Sequence, residues 1–465
     1  MHDPHLAPAV GQLTLGAITE IVPPALVDEV IAQCGRREHR VRMLPARVTL
    51  YLVLALWLHP NVGYREVLRM LFEQLHRRVG ACRLRVPSAP AVVQARRRLG
   101  REPLKALFLL LRGAHCGPED PGATAFGHSV ALLKTAVDGT TLDIPDTPLN
   151  RAAFGPAPGR SSKDPGRCPQ IRILALISCG TLAILDVAWG GRLTGEGTLL
   201  RKLVRGGTLR AGMLVLADRY FSGSAHVAAI RGVGADLIIR ALPNRLLPVL
   251  QPLSDGSYLS HLPAANQLTP DLVARARGLR PQRRGVRARQ AAGMPIRVIR
   301  ADITVIPQHG ETRSEPYILL TTLLDPAAAP ARQIAELYAE RREAETGYAD
   351  LKIHLGGARS MLRSMTPNGV AQELYALLIV YSSCRSSGPA PPGRTPTTLL
   401  WTPTASHSPS RSAHSCAASA AAPRWPSSTS SARSGPALAS SAVNAPRLVS
   451  ARALSPMPGP YGPCP

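Results

Sequence analysis

Two aspartates stand at matching places in this 465-residue chain. Asp138 follows the apolar stretch Thr135-Ala136-Val137 and precedes Gly139-Thr140; Asp218 follows Met213–Ala217 (MLVLA) and precedes Arg219-Tyr220-Phe221. If those stretches are neighbouring strands of one sheet, both carboxylates open into one cleft at the strand ends, where α/β sheets place ligands. Aspartate also ends strands simply as a turn or cap residue, so the pair alone leaves catalysis and structure both open.

A third carboxylate lies on the longest helical pattern in the chain, Ala331 to Leu355. At about 100° per residue, with Tyr338 at zero, Arg341 falls near about 300°, Glu345 near about 340° and Lys352 near about 320°. The four share one stripe, while Leu337, Tyr348, Leu351 and Leu355 occupy the neighbouring sector. The stripe is about 21 Å long at 1.5 Å per residue. That is too long for one small ligand and suits a groove that follows a phosphate backbone. The same residues also fit a solvent-facing ladder of ion pairs, because Arg341 and Glu345 stand at i and i+4.

The elements that must hold these residues follow from periodicity. Residues 12 to about 112 read as helices: Leu26, Val27, Val30 and Ile31 have helical spacing, Val48 to Leu58 is a buried run, and Tyr64 to Leu75 is amphipathic. Ser88 is placed to cap a segment ending in Arg96-Arg97-Arg98. This segment is either a small DNA-docking unit or a packing domain with a solvated basic face. From Thr135 the pattern turns to short apolar runs. Ile171 to Ile177 and Leu182 to Val187 form a hairpin, followed by a helix from Gly195 to Val204 and a strand from Met213 to Ala217. A helix from Ala225 to Ile230 and a strand from Asp236 to Ala241 complete the unit. Hairpin strands followed by alternating strands and helices specify a mixed α/β sheet. Ile296 to Ile306 and Tyr317 to Leu323 are further strands. Nine arginines and no acidic residue lie between Arg275 and Arg300, a density that favours phosphate contacts over a solvated edge.

Composition sharpens the class. The chain carries 55 Lys+Arg against 30 Asp+Glu, net +25, with 45% hydrophobic residues. That apolar content excludes a wholly disordered chain, and the charge points to nucleic acid before membrane. A GC-rich gene that prefers Arg to Lys is the alternative account of the charge. The closest approach to a spanning segment, Val48 to Leu58, is 11 residues long, short of the ~18 that a membrane helix needs. No signal peptide pattern opens the chain, and the eight cysteines form no CxxC pair, so a cytoplasmic protein is expected. From Arg385 onward, 81 residues hold seven Arg, 17 Ser and 15 Pro but no Lys, Asp or Glu. The first 384 residues therefore have 48 basic and 30 acidic side chains, net +18. The tail has no periodicity and too little apolar surface to offset chain entropy. A reading-frame shift in a GC-rich gene is the favoured explanation, and a natural disordered tail is the other.

The spacing Tyr338-x2-Arg341-x3-Glu345-x6-Lys352 resembles the Tyr-Arg-Glu-Lys signature of DDE transposases of bacterial insertion sequences, in the insertion-element-four group. Val137 to Asp146, with Asn150 and Phe154-Gly155, is similar to the block carrying that family's first catalytic Asp. Leu214 to Arg219 is similar to the block carrying the second. The resemblance runs from about residue 12 to residue 383. Two departures stand out: Tyr220, where the family has Gly or Ala, and the tail, where the family continues with helical sequence.

The resemblance implies a fold and a chemistry. The fold class is α/β, a ribonuclease H-like mixed sheet with helices. A helical N-terminal domain (1–125) for binding DNA ends precedes it. The catalytic core comes in two parts (126–243 and 323–383) around a basic β-rich insertion (244–322), with a disordered tail (384–465). Asp138, Asp218 and Glu345 would bind two Mg²⁺ ions, with Mn²⁺ able to substitute. Hard carboxylate oxygens suit that choice. Tyr338, Arg341 and Lys352 would hold DNA phosphates. The implied partners are double-stranded DNA, as terminal inverted repeats and target, and a second copy of the chain in a synaptic homodimer, with no membrane. A nucleoid-associated place in a bacterial cytoplasm follows. The expected activity is cut-and-paste transposition. An inactive DNA-binding remnant that represses intact copies is the alternative, and a two-carboxylate hydrolase of a small substrate is a third reading, which the basic run and the long stripe oppose. Loss of the C-terminal helices would expose the apolar surface of Leu374 to Tyr381.

Overall fold

A computed structural model describes residues 15–40, 42–59, 62–79, 86–113, 124–126, 131–156, 168–242, 245, 247–262, 293–306, 313–339, 341, 362–387 and 398–403. The first region is helical, as its periodicity requires: α1 Leu15–Ile21, α2 Pro24–Gln33, α3 Ala46–Leu58, α4 Tyr64–Val79, α5 Ala89–Leu99 and α6 Glu102–Leu111. Helix α3 is apolar all round because both of its sides are covered. Leu50, Val53, Leu54 and Trp57 join one core with α2 and α6, and Leu52, Ala55 and Leu56 join another with α4 and α5. Ser88 occupies the N-cap position of α5 but its side chain makes no capping hydrogen bond.

The central sheet is built from β2 Leu132–Asp143, β3 Gln170–Ser178, β4 Ile184–Gly191, β5 Met213–Ala217 and β6 Asp236–Arg240, with the two-residue β1 Thr124–Ala125 on the flank of β2. These five strands are ordered β4-β3-β2-β5-β6. The first three are antiparallel, and β5 and β6 run parallel to β2. This is the ribonuclease H-like mixed sheet that the chain's pattern and resemblance imply. Helix α7 Pro148–Phe154 follows β2, α8 Glu196–Arg205 precedes β5, and α9 Ser224–Gly232 links β5 to β6. Apolar residues of α8 and α9 (Leu199, Leu200, Leu203, Val227 and Ile230) cover one face of the sheet. Ile334, Ala335, Leu337 and Tyr338 of α10 Ala331–Ala339 cover the other.

The segment read as an insertion does not stand apart from the sheet. It contributes β7 Gln251–Pro252, β8 Tyr258–Leu262, β9 Met294–Ile306 and β10 Arg313–Thr321, and β10 pairs with β6, so the sheet simply continues outward. The tail expectation also needs correction at its start. Helix α11 spans Pro367–Ser387, past residue 384, and β11 Thr398–Pro403 pairs antiparallel with β9. The unpaired edge of β9 offers backbone hydrogen bonds that need no special side chains, which is why composition gave no sign of this strand. The rest of the tail lies outside the described residues.

Leu374 to Tyr381, the apolar stretch that loss of further C-terminal helices could leave exposed, are all buried. Helix α11 lies between the sheet and the helical region and shares one core with Leu54 and Phe108 on one side and with Ile173 and Ile177 on the other. Among the described residues no helix is long and apolar enough to cross a membrane.

Candidate active site

Strand register brings the two aspartates together. The parallel ladder between β2 and β5 ends at Val137 beside Ala217, so the next residues, Asp138 and Asp218, leave it side by side. Asp138 does not end its strand, as the sequence reading expected: β2 continues to Asp143, held by β3 alone. The projecting half of β2 forms a wall beside Asp138. Side chains alternate between faces of a strand. Asp138 therefore shares the face of Ala136, and Asp218 that of Leu216, which are both buried against α10. Both aspartates are partly exposed. The Asp218 carboxylate also accepts a hydrogen bond from the Tyr220 backbone N–H at 2.8 Å, capping a 3₁₀ turn over Arg219–Ser222.

Helix α10, the first part of the segment read as the signature helix, packs over the same face. Its start is set by the β-rich segment: the Asp255 carboxylate accepts a hydrogen bond from the Ala331 N–H at 2.9 Å. That carboxylate is also paired with Arg297, which is fully buried and donates to Ala329 O (2.7 Å) and Ser257 Oγ (2.8 Å). Arg297 belongs to the basic run read as phosphate-binding, and it is instead a structural tie for this helix. The seven arginines from Arg275 to Arg289 lie outside the described residues.

Tyr338 is 5% exposed and its hydroxyl donates to the carbonyl of Ala217, 3.3 Å away and one residue before Asp218. Its ring meets Tyr317 of β10 edge-on, with centroids 6.0 Å apart. Burial pushes its phenol up to about 12; Arg341 and Arg240 oppose the shift, and Asp218 and Tyr317 add to it. The hydroxyl expected on a DNA phosphate is thus turned inward, where it fixes the helix to the strand that carries Asp218. Replacing Tyr338 by Phe leaves the buried Ala217 carbonyl without this donor and will lower stability by about 1 kcal/mol in urea titration. Unchanged stability combined with weaker DNA binding would return the hydroxyl to the phosphate role. Arg341 is helical and half-buried. Glu345 and Lys352 lie outside the described residues.

Glu196 and His226, which the sequence reading passed over, complete the surroundings. Gly139 packs on Glu196, in the first turn of α8, so tightly that a Cβ there would meet the Glu196 carboxylate at 3.0 Å. Burial foremost raises the Glu196 pKa; the Asp218 charge adds to it and Arg172 opposes it. Tyr220 is 49% exposed and stacks on His226, with centroids 5.7 Å apart. Its ring also meets Phe221 edge-on, and its backbone N–H serves Asp218.

The helical basic cluster divides in three. Arg97 is exposed, whereas Arg98 is bonded to Glu38 and Arg96 is buried in a polar network with α11. A contiguous basic face over Arg96–Arg98 is therefore absent, because two of its three charges are already paired. Among the described residues no three potential ligands come together as a metal centre. The donors that Asp138 and Asp218 supply are nevertheless hard oxygens on one partly exposed face, which fit a hard divalent cation.

Comparison with known proteins agrees with this architecture. Residues 12–109 match the family described as insertion element 4 transposase N-terminal, and residues 132–383 match the transposase DDE domain. The chain is also 25% identical over 380 residues to a protein of Escherichia coli (strain K12) named transposase InsG for insertion sequence element IS4. That alignment covers 80% of this chain and 76% of the relative.

Proposed function

The chain belongs to the DDE transposases of the insertion-element-four group, and on that premise we propose that it cuts and rejoins DNA at insertion-sequence ends by cut-and-paste transposition. The observation that carries this reading is the side-by-side exit of Asp138 and Asp218 from the β2–β5 ladder, under the helix that leads to Glu345. These three carboxylates would hold two Mg²⁺ ions. Such ions activate the attacking oxygen and stabilise the leaving one in an in-line displacement.

In the first reaction a water oxygen forms a bond to phosphorus, and the bond from phosphorus to the 3′ oxygen breaks, freeing a 3′-hydroxyl. In the second that hydroxyl attacks a target phosphate and the target's own 3′ oxygen leaves. Neither step forms a bond to the protein, so no serine or cysteine nucleophile is required. Arg341 and Lys352 hold end phosphates through charge-assisted hydrogen bonds. Tyr338 positions the Asp218 strand against the helix. A second protomer would supply the site for the partner end of the element.

The test is cleavage of a duplex bearing the inverted repeats that flank the gene, by the full-length protein. Strand cleavage that requires Mg²⁺ and stops with a chelator is the expected result. Binding without cleavage in Mg²⁺ would overturn the proposal in favour of the repressing remnant. Turnover of a small ester with no effect of DNA would favour the hydrolase.

A further inference from the structure

The row of side chains that contains the two aspartates has a third member. Leu216 sits between Ala136 and Ile238 across the parallel strands β2, β5 and β6, and all three are buried against α10. Two residues further along, on the same face, come Asp138, Asp218 and Arg240. Adjacent strands lie about 4.8 Å apart, so the three Cα positions span about 10 Å. The row is bounded by apolar residues, Ala175 beside Asp138 and Leu319 beside Arg240. Its polar segment is therefore two anions followed by one cation.

We propose that Arg240 binds the scissile phosphate of the DNA end, as a further substrate-binding residue that rests on the transposase reading above. Its placement is fixed from below. The guanidinium lies 4.0 Å from the centroid of the Tyr317 ring, and Tyr317 in turn meets Tyr338, whose hydroxyl is on Ala217. Stacking uses the flat face of a guanidinium, whereas its N–H donors lie in the plane. Arg240 is half-buried at the end of a parallel strand, where an α/β sheet opens to its ligand. A phosphate brought up to two carboxylates is repelled by them. A fixed cation at the end of the same row offsets that repulsion and selects the orientation in which a non-bridging oxygen faces Arg240.

The test measures affinity of the full-length protein for an end duplex in chelator, where cleavage does not intervene. The scissile phosphate is either natural or replaced by a neutral methylphosphonate. Arg240→Gln is expected to bind the natural duplex about tenfold more weakly than the wild type, and the two proteins are expected to bind the methylphosphonate duplex equally. Moving the methylphosphonate several base pairs away restores the tenfold gap. Arg240→Lys, which keeps the charge, recovers part of the loss. A tenfold gap that persists when the scissile phosphate is neutral would assign Arg240 to folding or to non-specific charge and overturn the proposal. Each protein serves as its own control, so partial misfolding of the variant cannot imitate the expected pattern. Failure of the wild type to bind either duplex would instead reject the DNA reading itself.

Discussion

Asp218→Asn will leave the protein folded and able to bind DNA ends but will slow strand cleavage by about three orders of magnitude, ~4 kcal/mol at the transition state. Asn retains an oxygen at the Oδ1 position, so the hydrogen bond from the Tyr220 N–H that shapes the 3₁₀ turn survives. Only the charge, and with it the hold on a divalent cation, is lost. Asp218→Ala removes both, and adds about 1 kcal/mol of destabilisation for the missing cap. The comparison thus separates the two tasks of one carboxylate: equal loss of cleavage in both variants, unequal loss of stability. Asp138→Asn and Glu345→Ala belong to the same class and are expected to lose cleavage equally. Wild-type cleavage by any of these variants would remove that residue from the site.

The second large effect lies away from the chemistry. Glu373 of α11 is 2% exposed, and its carboxylate accepts hydrogen bonds from Tyr64 Oη (2.9 Å), Ser364 Oγ (2.6 Å), the Arg363 N–H (2.6 Å) and Arg96 Nη1 (3.4 Å). Arg96 also donates to Gln372, Ser364 and the Gly369 carbonyl, and Gln372 donates back to the Arg96 and Gly100 carbonyls. The network joins the helical region to the last helix of the core. Removing one partner of such a buried pair leaves the other charged and unpaired, at a cost of about 3–5 kcal/mol. Glu373→Ala is therefore expected to lower the urea midpoint of the whole protein strongly. The double replacement of Arg96 and Glu373 by Met and Leu should recover much of the loss, because it leaves no orphan charge. A Glu373→Ala variant as stable as the wild type would show that the network carries no net weight.

Both expectations depend on contacts that were only partly legible in the chain. The strands MLVLA and IRILALI declare themselves by apolar, β-branched composition, and β5 and β3 fall where those runs lie. The runs could not show that β2 outlasts its partner β5, because strand length past the ladder is set by pairing with β3. Arg96-Arg97-Arg98 looks like one basic patch in one dimension. Whether each charge meets water or a partner depends on residues as far as 277 positions away, as with Arg96 and Glu373. Arg240 drew no notice because a strand-end arginine has no local pattern, and its place beside Asp218 exists only as register.

The sequence by itself indicated the types and order of the N-terminal helices and of the strands and helices from β2 to β6. It also supplied the spacing from which Tyr338, Arg341, Glu345 and Lys352 are expected on one helix face, since periodicities of 2 and 3.6 are written within a few residues. The tertiary structure decided which charges serve as internal ties and which stand together at the strand ends. It buried Arg96, Arg297 and the Tyr338 hydroxyl as ties, and it aligned Asp138, Asp218 and Arg240 across three strands. The reason is physical: a buried charge must find its partner wherever the fold places one, and strand register follows from which faces pack together rather than from any single segment.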